Sequence, residues 1–156
     1  MDEKKATAEK MNESINKRRV LRSADITLPI KPMTVTAQQA RWTVKNGKAV
    51  KYEPDTLKRA RDQYTCALVD SRPDEAPFRG PISLQVVWSF QDKKLETPRF
   101  RTKRPDTDNL QKLLKDCMTA AGYWEDDAQV VAEHVYKVDV PVDPRIRIRI
   151  EELADE

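Results

Sequence analysis

Two short acidic motifs lie within residues 105–129, the stretch PDTDNLQKLLKDCMTAAGYWEDDAQ. The first is the pair Asp106 and Asp108, with Lys112 four residues after the second Asp, and the second is the run 125–127, Glu-Asp-Asp. Carboxylates brought close together repel one another unless a cation joins them, and a hard cation such as Mg²⁺ prefers oxygen ligands. The residue types therefore indicate a metal site if the chain folds the two motifs together.

A basic run lies directly before the acidic pair. Lysine and arginine supply the phosphate contacts that give nucleic-acid binding most of its affinity. The members of the run are Arg99, Arg101, Lys103 and Arg104. Acidic side chains that can bind a metal, next to basic side chains that can bind phosphate, indicate metal-dependent cutting of nucleic acid.

A simpler interpretation of the acidic pair is helix capping. Asp108 is a good N-cap residue, and Gln111 three positions later would complete a capping box. An Asp108–Lys112 pair could also be an ordinary surface pair on a helix. A metal-binding role is favoured over capping alone for two reasons. Asp106 is not needed for the predicted cap, and a helix of only about three turns leads into the second acidic motif. A non-catalytic DNA-binding or architectural protein, whose acids only cap and turn, remains the alternative.

The composition indicates a single domain with tails. The chain has 156 residues, 38% of them hydrophobic and 35% charged, and a net charge of +3 that conceals separate acidic and basic clusters. Cys66 and Cys117 are expected to be buried free thiols rather than a disulfide framework. The N-terminus lacks the apolar run of a signal peptide and no stretch reaches transmembrane length, so we expect a cytoplasmic protein without a membrane partner.

Apolar periodicity predicts an α/β (α+β) domain over residues 25–152, with a mixed β-sheet and two main helices packed on it. Residues 1–24 are predicted to be a basic, disordered arm, with a frayed helix as the alternative. The last two strands are expected to be antiparallel because their connection is short. The predicted elements are a strand at 25–30, a hairpin at 41–52, a helix at 54–69, a strand at 82–90, a helix at 108–120 and strands at 130–138 and 145–151.

Some residues outside the acidic motifs have a structural and a functional interpretation. Trp124 is expected to pack under the acidic loop and fix it. Trp42, on the hairpin, could touch DNA, and core packing is an equal alternative. The alternating row Arg145, Arg147 and Arg149 is typical of a solvated sheet face and gains interest only if it adjoins the acidic motifs.

The stretch PDTDNLQKLLKDCMTAAGYWEDDAQVV resembles, without a gap, the signature of the RusA-type Holliday junction resolvases: D-x-D-N-L-x-K, an amphipathic helix, then G-hydrophobic-W/hydrophobic-x-D-D-x-Q-V. Weaker similarity extends the resemblance to about residues 25–152. The resemblance implies a homodimeric, Mg²⁺-dependent endodeoxyribonuclease, often borne by a phage or prophage. It further implies that the substrate is branched DNA, cut at four-way junctions by paired symmetric nicks during recombination or repair, and not a small molecule.

The resemblance also implies roles for individual residues. The family's metal-binding carboxylates fall on Asp106, Asp108 and Asp127, and its essential lysine falls on Lys112. Asp126 and Asn109 become neighbours of the site. The segment 31–36 lacks the family's usual P-P-S-x-N pattern, and the hairpin and the basic arm are less typical. Junction selectivity is therefore a weaker expectation than nuclease chemistry, and a flap or general DNA nuclease is a further alternative.

Overall fold

A computed structural model describes residues 3–35 and 41–155. Its helices are α1 (Glu3–Asn16), α2 (Asp55–Asp70) and α3 (Thr107–Ala120). Its strands are β1 (Val20–Leu28), β2 (Arg41–Lys45), β3 (Lys48–Tyr52), β4 (Ile82–Gln91), β5 (Arg99–Phe100), β6 (Val130–Val140) and β7 (Arg145–Leu153). A short 3₁₀ turn, Asp127–Gln129, leads into β6.

The main sheet has five strands in the order β1-β7-β4-β6-β5. Its central pair, β4 and β6, is parallel and is joined through α3, whereas the other neighbours are antiparallel. The prediction of a mixed sheet is therefore confirmed. The last two strands, β6 and β7, do run in opposite directions, but β4 lies between them because each pairs with one of its edges.

The core lies between one face of this sheet and the helices α2 and α3. One face of α3 is apolar and buried, with Leu110, Leu114 and Cys117 each at most 2% exposed. Burying a leucine of this kind contributes about 1.5–3 kcal/mol. On the sheet side, Trp88 is fully buried, as its place in the alternating strand predicts. The helix carrying the acidic pair is thus held firmly along its apolar face.

Parts of the chain differ from the sequence prediction. The first strand begins at Val20, inside the segment predicted as an arm, and residues 3–16 of that segment form α1, the helical alternative given for it, which has no buried residue. The basic run before the acidic pair begins in the short strand β5. Cys117 is a buried free thiol as predicted, whereas Cys66 is exposed, so that prediction is wrong for Cys66. No helix in the described ranges is long and apolar enough to cross a membrane.

The second face of the main sheet carries the predicted arginine row of β7. Ile146, Ile148 and Ile150 are buried against the helices, and the alternating arginines therefore lie on the opposite face. Arg149 pairs there with Asp25 at 2.7 Å. The row does not adjoin α3, so it stays a solvated sheet face.

The predicted hairpin is confirmed as a separate two-stranded sheet made by β2 and β3. Its turn residues Asn46 and Gly47 have φ angles of 52° and 75°, as a two-residue hairpin turn requires. The hairpin ends at Tyr52, and α2 begins at Asp55.

Candidate active site

The N-terminus of α3 carries the first acidic pair. The helix begins at Thr107, so Asp106 occupies the N-cap position, and its side chain makes no capping hydrogen bond. The prediction that Asp108 is the N-cap and Gln111 completes a capping box is wrong. Gln111 lies on the core-facing side of the helix, where its Oε1 accepts a hydrogen bond of 2.9 Å from the Trp88 indole. Both carboxylates of the pair remain exposed to solvent.

The second acidic motif separates the roles of its two aspartates. Asp126 caps the 3₁₀ turn, because its Oδ1 accepts a hydrogen bond of 2.8 Å from the Ala128 amide. Asp127 is turned instead toward α3, where its Oδ2 lies 3.8 Å from the Lys112 ammonium. The resemblance assigned Asp127 to the site and Asp126 to a neighbouring position, and that assignment stays a prediction.

Two side chains, Trp124 and Gln129, hold the loop that carries Asp127 in place. Trp124 is buried, and its indole donates a 2.8 Å hydrogen bond to the hydroxyl of Thr119 on α3, which confirms its predicted packing role. Gln129 accepts hydrogen bonds from the amides of Glu125 and Asp126 and donates to the carbonyl of Phe78. Sequence reasoning missed Gln129, although its place three residues after Asp126 matches a capping box.

Lys112 lies on the exposed face of α3, with 60% of its side chain accessible. Its ammonium donates a 3.0 Å hydrogen bond to Asp116, one turn further along the helix, and not to Asp108. The Asp116 hydrogen bond and charge, with a smaller contribution from Asp127, raise the pKa of Lys112 above its ordinary value. Lys112 is therefore a cation at neutral pH, held between two carboxylates.

Asp116 was missed by sequence reasoning, although the four-residue spacing from Lys112 was a visible signal. Its second oxygen lies 3.7 Å from the guanidinium of Arg61 on α2. Arg61 in turn pairs with Glu53 at 2.6 Å, just before α2 begins. An ion-pair chain thus runs from Glu53 through Arg61, Asp116 and Lys112 to Asp127.

The basic run before Asp106 divides into structural and accessible members. Arg101 is largely buried, pairs with the buried Asp139 at 2.8 Å and lies over the Phe90 ring. The Lys137 ammonium donates to the backbone carbonyls of residues 103 and 105, at 2.9 and 2.8 Å, and so fixes the chain directly before Asp106. Of the predicted phosphate contacts, the side chains of Arg99, Lys103 and Arg104 are exposed.

The expected metal site fits in donor chemistry but not as a closed cage. Within residues 3–35 and 41–155, no group of three or more His, Cys, Asp or Glu side chains is close enough together to hold a metal ion. Asp106, Asp108 and Asp127 therefore do not form a preformed three-carboxylate cage in the described ranges, and their joint binding of a metal stays a prediction. Mg²⁺, however, is commonly held by one or two carboxylates together with substrate phosphates, a role open to exposed aspartates.

Comparison with known proteins extends over most of the sequence. Residues 29–151 match the family described as Endodeoxyribonuclease RusA. A "Crossover junction endodeoxyribonuclease rusA" of Lactococcus phage r1t is 33% identical over 76% of this chain and 88% of its own length. The proteins of that name from Escherichia coli K12 and Enterobacteria phage 82 are each 46% identical over 49% of this chain. The matched part covers 56% of the length of each of those two relatives.

Proposed function

Because the chain belongs to the family of RusA endodeoxyribonucleases, we propose that it resolves Holliday junctions by cutting four-way DNA during recombination or repair. The observation that carries this proposal is the contact between Lys112 on α3 and Asp127, 3.8 Å apart. The N-terminus of the same helix carries two exposed aspartates, Asp106 and Asp108. An ammonium group held next to solvent-facing carboxylates is suited to binding and hydrolysing a phosphodiester. The names of the relatives support the choice of a crossover junction as the substrate.

The cofactor in this proposal is Mg²⁺, held by Asp106, Asp108 and Asp127 together with substrate phosphate. When bound, the metal would polarise the scissile phosphate and lower the pKa of the attacking water. Lys112 would donate to a phosphate oxygen and stabilise the negative charge that develops there. Its exposure leaves the ammonium accessible to DNA, and its two carboxylate partners keep it in place before the substrate arrives.

The proposed enzyme acts as a homodimer. Resolving a junction takes two symmetric nicks, and a twofold axis supplies two identical sites in the required relation. Exposed basic side chains near the acidic motif, among them Lys103 and Arg104, would hold the phosphate backbone, so we expect the affinity to fall with salt.

The test is cleavage of a synthetic four-way junction labelled on each strand. We expect paired nicks at symmetric positions in Mg²⁺, no cutting in EDTA and a dimer by light scattering. The Asp127→Asn protein serves as the matched control for contaminating nucleases. Binding without cutting in either buffer would favour the architectural alternative, and equal cutting of flaps or linear duplex would favour a general nuclease.

A further inference from the structure

The hairpin of β2 and β3 is exposed on both of its faces. Every residue of its two strands is exposed, including Trp42 at 68% and Val44 at 74%. The core-packing interpretation of Trp42 is therefore wrong. A lone two-stranded hairpin is marginally stable in water, and exposed apolar side chains of this size mark interaction surfaces.

The charges of the hairpin all have one sign. Residues 41–52 contain Arg41, Lys45, Lys48 and Lys51 and no acidic residue. Lys45 and Lys48 are direct cross-strand partners beside the turn. Like charges placed opposite each other on neighbouring strands are destabilising. A polyanion bound to the face of Lys45 and Lys48 would relieve that repulsion, and Trp42, paired with Lys51, lies on the other face of the ribbon.

The base of the hairpin lies at the same end of the molecule as the first acidic pair. The helices α2 and α3 are neighbours, since the Cys117 thiol reaches the Arg61 carbonyl at 3.7 Å. Each helix leads into one of two parallel neighbouring strands, β4 and β6, so the N-termini of both helices lie toward the carboxyl ends of these strands. The hairpin leads into α2 at that end of the sheet, and Asp106 lies at the start of α3 at the same end. The ion pair of Glu53 with Arg61 fixes the junction between hairpin and helix.

We propose that the hairpin Arg41–Tyr52 is a DNA-binding arm that lies against a duplex arm of the branched substrate. This inference rests on the proposed function and adds a second contact region to the acidic site. A two-stranded ribbon fits the major groove, which is about 12 Å wide. Lys45 and Lys48 contact phosphates from one face of the ribbon, and Trp42 on the other face packs on an exposed base or sugar.

A second copy of the chain is a less suitable occupant. If two hairpins met across a twofold axis, the cations of one hairpin would face those of the other. DNA supplies the opposite charge along its whole length. Charge complementarity therefore selects the nucleic acid.

The first test removes charge from the turn. Junction binding is measured in EDTA over a salt series for Lys45→Ala/Lys48→Ala and for the control Arg145→Ala/Arg147→Ala, which removes the same charge from the far face of the sheet. Two lost phosphate contacts should make the slope of log K against log salt shallower by about 1.8. The control should keep the wild-type slope. An equal change in both variants, or in neither, would overturn the proposal, as would a hairpin variant that becomes monomeric while the control stays dimeric.

The second test uses the tryptophan itself. Trp88 and Trp124 are buried, so iodide quenching of the protein's fluorescence reports mainly on Trp42. Junction DNA should protect Trp42 from iodide, and Trp42→Ala should weaken junction binding on the order of tenfold while Trp42→Phe retains it. Unchanged quenching in the presence of bound DNA would contradict the contact.

The two proposals fail differently. If the wild-type protein cuts junctions and the hairpin variants bind them as tightly as the wild type, the nuclease proposal stands and the DNA-binding role of the hairpin is wrong. A wild-type protein that neither binds nor cuts junctions would remove the nuclease proposal on which the arm rests. Because the substituted side chains are exposed, the variants should keep the wild-type melting temperature, which separates lost binding from lost folding.

Discussion

The ammonium of Lys112 lies 3.8 Å from the carboxylate of Asp127, although the two residues belong to different acidic motifs. Lys112 stands in the middle of α3, and Asp127 opens the turn that leads from that helix into β6. The chain must pass the end of α3 and turn back to bring them together. The buried Trp124 and the hydrogen bonds of Gln129 hold that turn. The proposed chemistry therefore depends on a rigid loop as much as on the charged residues.

Asp126 and Asp127 should respond differently to the same substitution. Asp127→Asn removes the carboxylate beside Lys112 and should abolish junction cutting. Asp126→Asn should cut at nearly the wild-type rate, because asparagine caps a helical turn as well as aspartate does. Asp126→Ala removes the cap and should cost about 1 kcal/mol of stability. Single-turnover cleavage and thermal melting of the three proteins check this. A folded Asp126→Asn protein that does not cut would contradict the separation of roles between Asp126 and Asp127.

The carboxylates at the start of α3 should be needed for cutting and not for binding. Asp106→Asn and Asp108→Asn should stop cleavage in Mg²⁺ while junction affinity stays equal or rises, because each removes a negative charge from the surface proposed to face the DNA phosphates. Neither should lower the melting temperature much, since Asp106 makes no side-chain capping bond and asparagine suits that position. Gel-shift and cleavage assays on the same preparations provide the measurement. Normal turnover by either variant would remove that residue from the proposed metal ligands.

Local patterns predicted the main elements, and tertiary partners explain most of the errors. The strict alternation of β4 and the apolar stripe of α3 were readable because each reflects one buried face. The N-cap of α3 was placed at Asp108 instead of Asp106, two residues too late, because the sequence does not show that the Gln111 side-chain oxygen accepts a hydrogen bond from Trp88, on another element. In the same way, Arg101 looked like a phosphate contact until Asp139 and Phe90 provided partners inside the fold. Partners that lie far apart in the chain cannot be assigned from spacing alone.

Asp116 should act on cutting through Lys112. Its carboxylate accepts the lysine's hydrogen bond at 3.0 Å, so Asp116→Asn should leave the ammonium less well placed and lower the single-turnover rate. In a Lys112→Ala background the same substitution should have almost no further effect, because residues that share one interaction are not additive. Glu133→Gln is the matched control, since Glu133 pairs with Lys115 on the same helix. Additive losses in the double variant would show that Asp116 acts independently of Lys112.

Lys112 should affect the reaction rather than folding or affinity. Its side chain is 60% exposed, so Lys112→Ala leaves no core cavity, and the lost surface pair is worth only about 0.3–0.5 kcal/mol. One phosphate contact among many should weaken junction binding modestly. Loss of a positioned cation at the transition state is the larger effect, on the order of 3 kcal/mol or a hundredfold in rate.

The measurement for Lys112 is single-turnover cleavage at saturating protein, with Lys112→Arg as the variant that keeps the charge. The Lys112→Ala protein should melt like the wild type, bind junctions in Mg²⁺ and cut them very slowly. Lys112→Arg should recover only part of the rate, because the guanidinium is larger and planar and cannot take the ammonium's place between Asp116 and Asp127 without a shift. A near-normal rate for Lys112→Ala would reduce the lysine to a surface charge and leave the carboxylates alone as the active site.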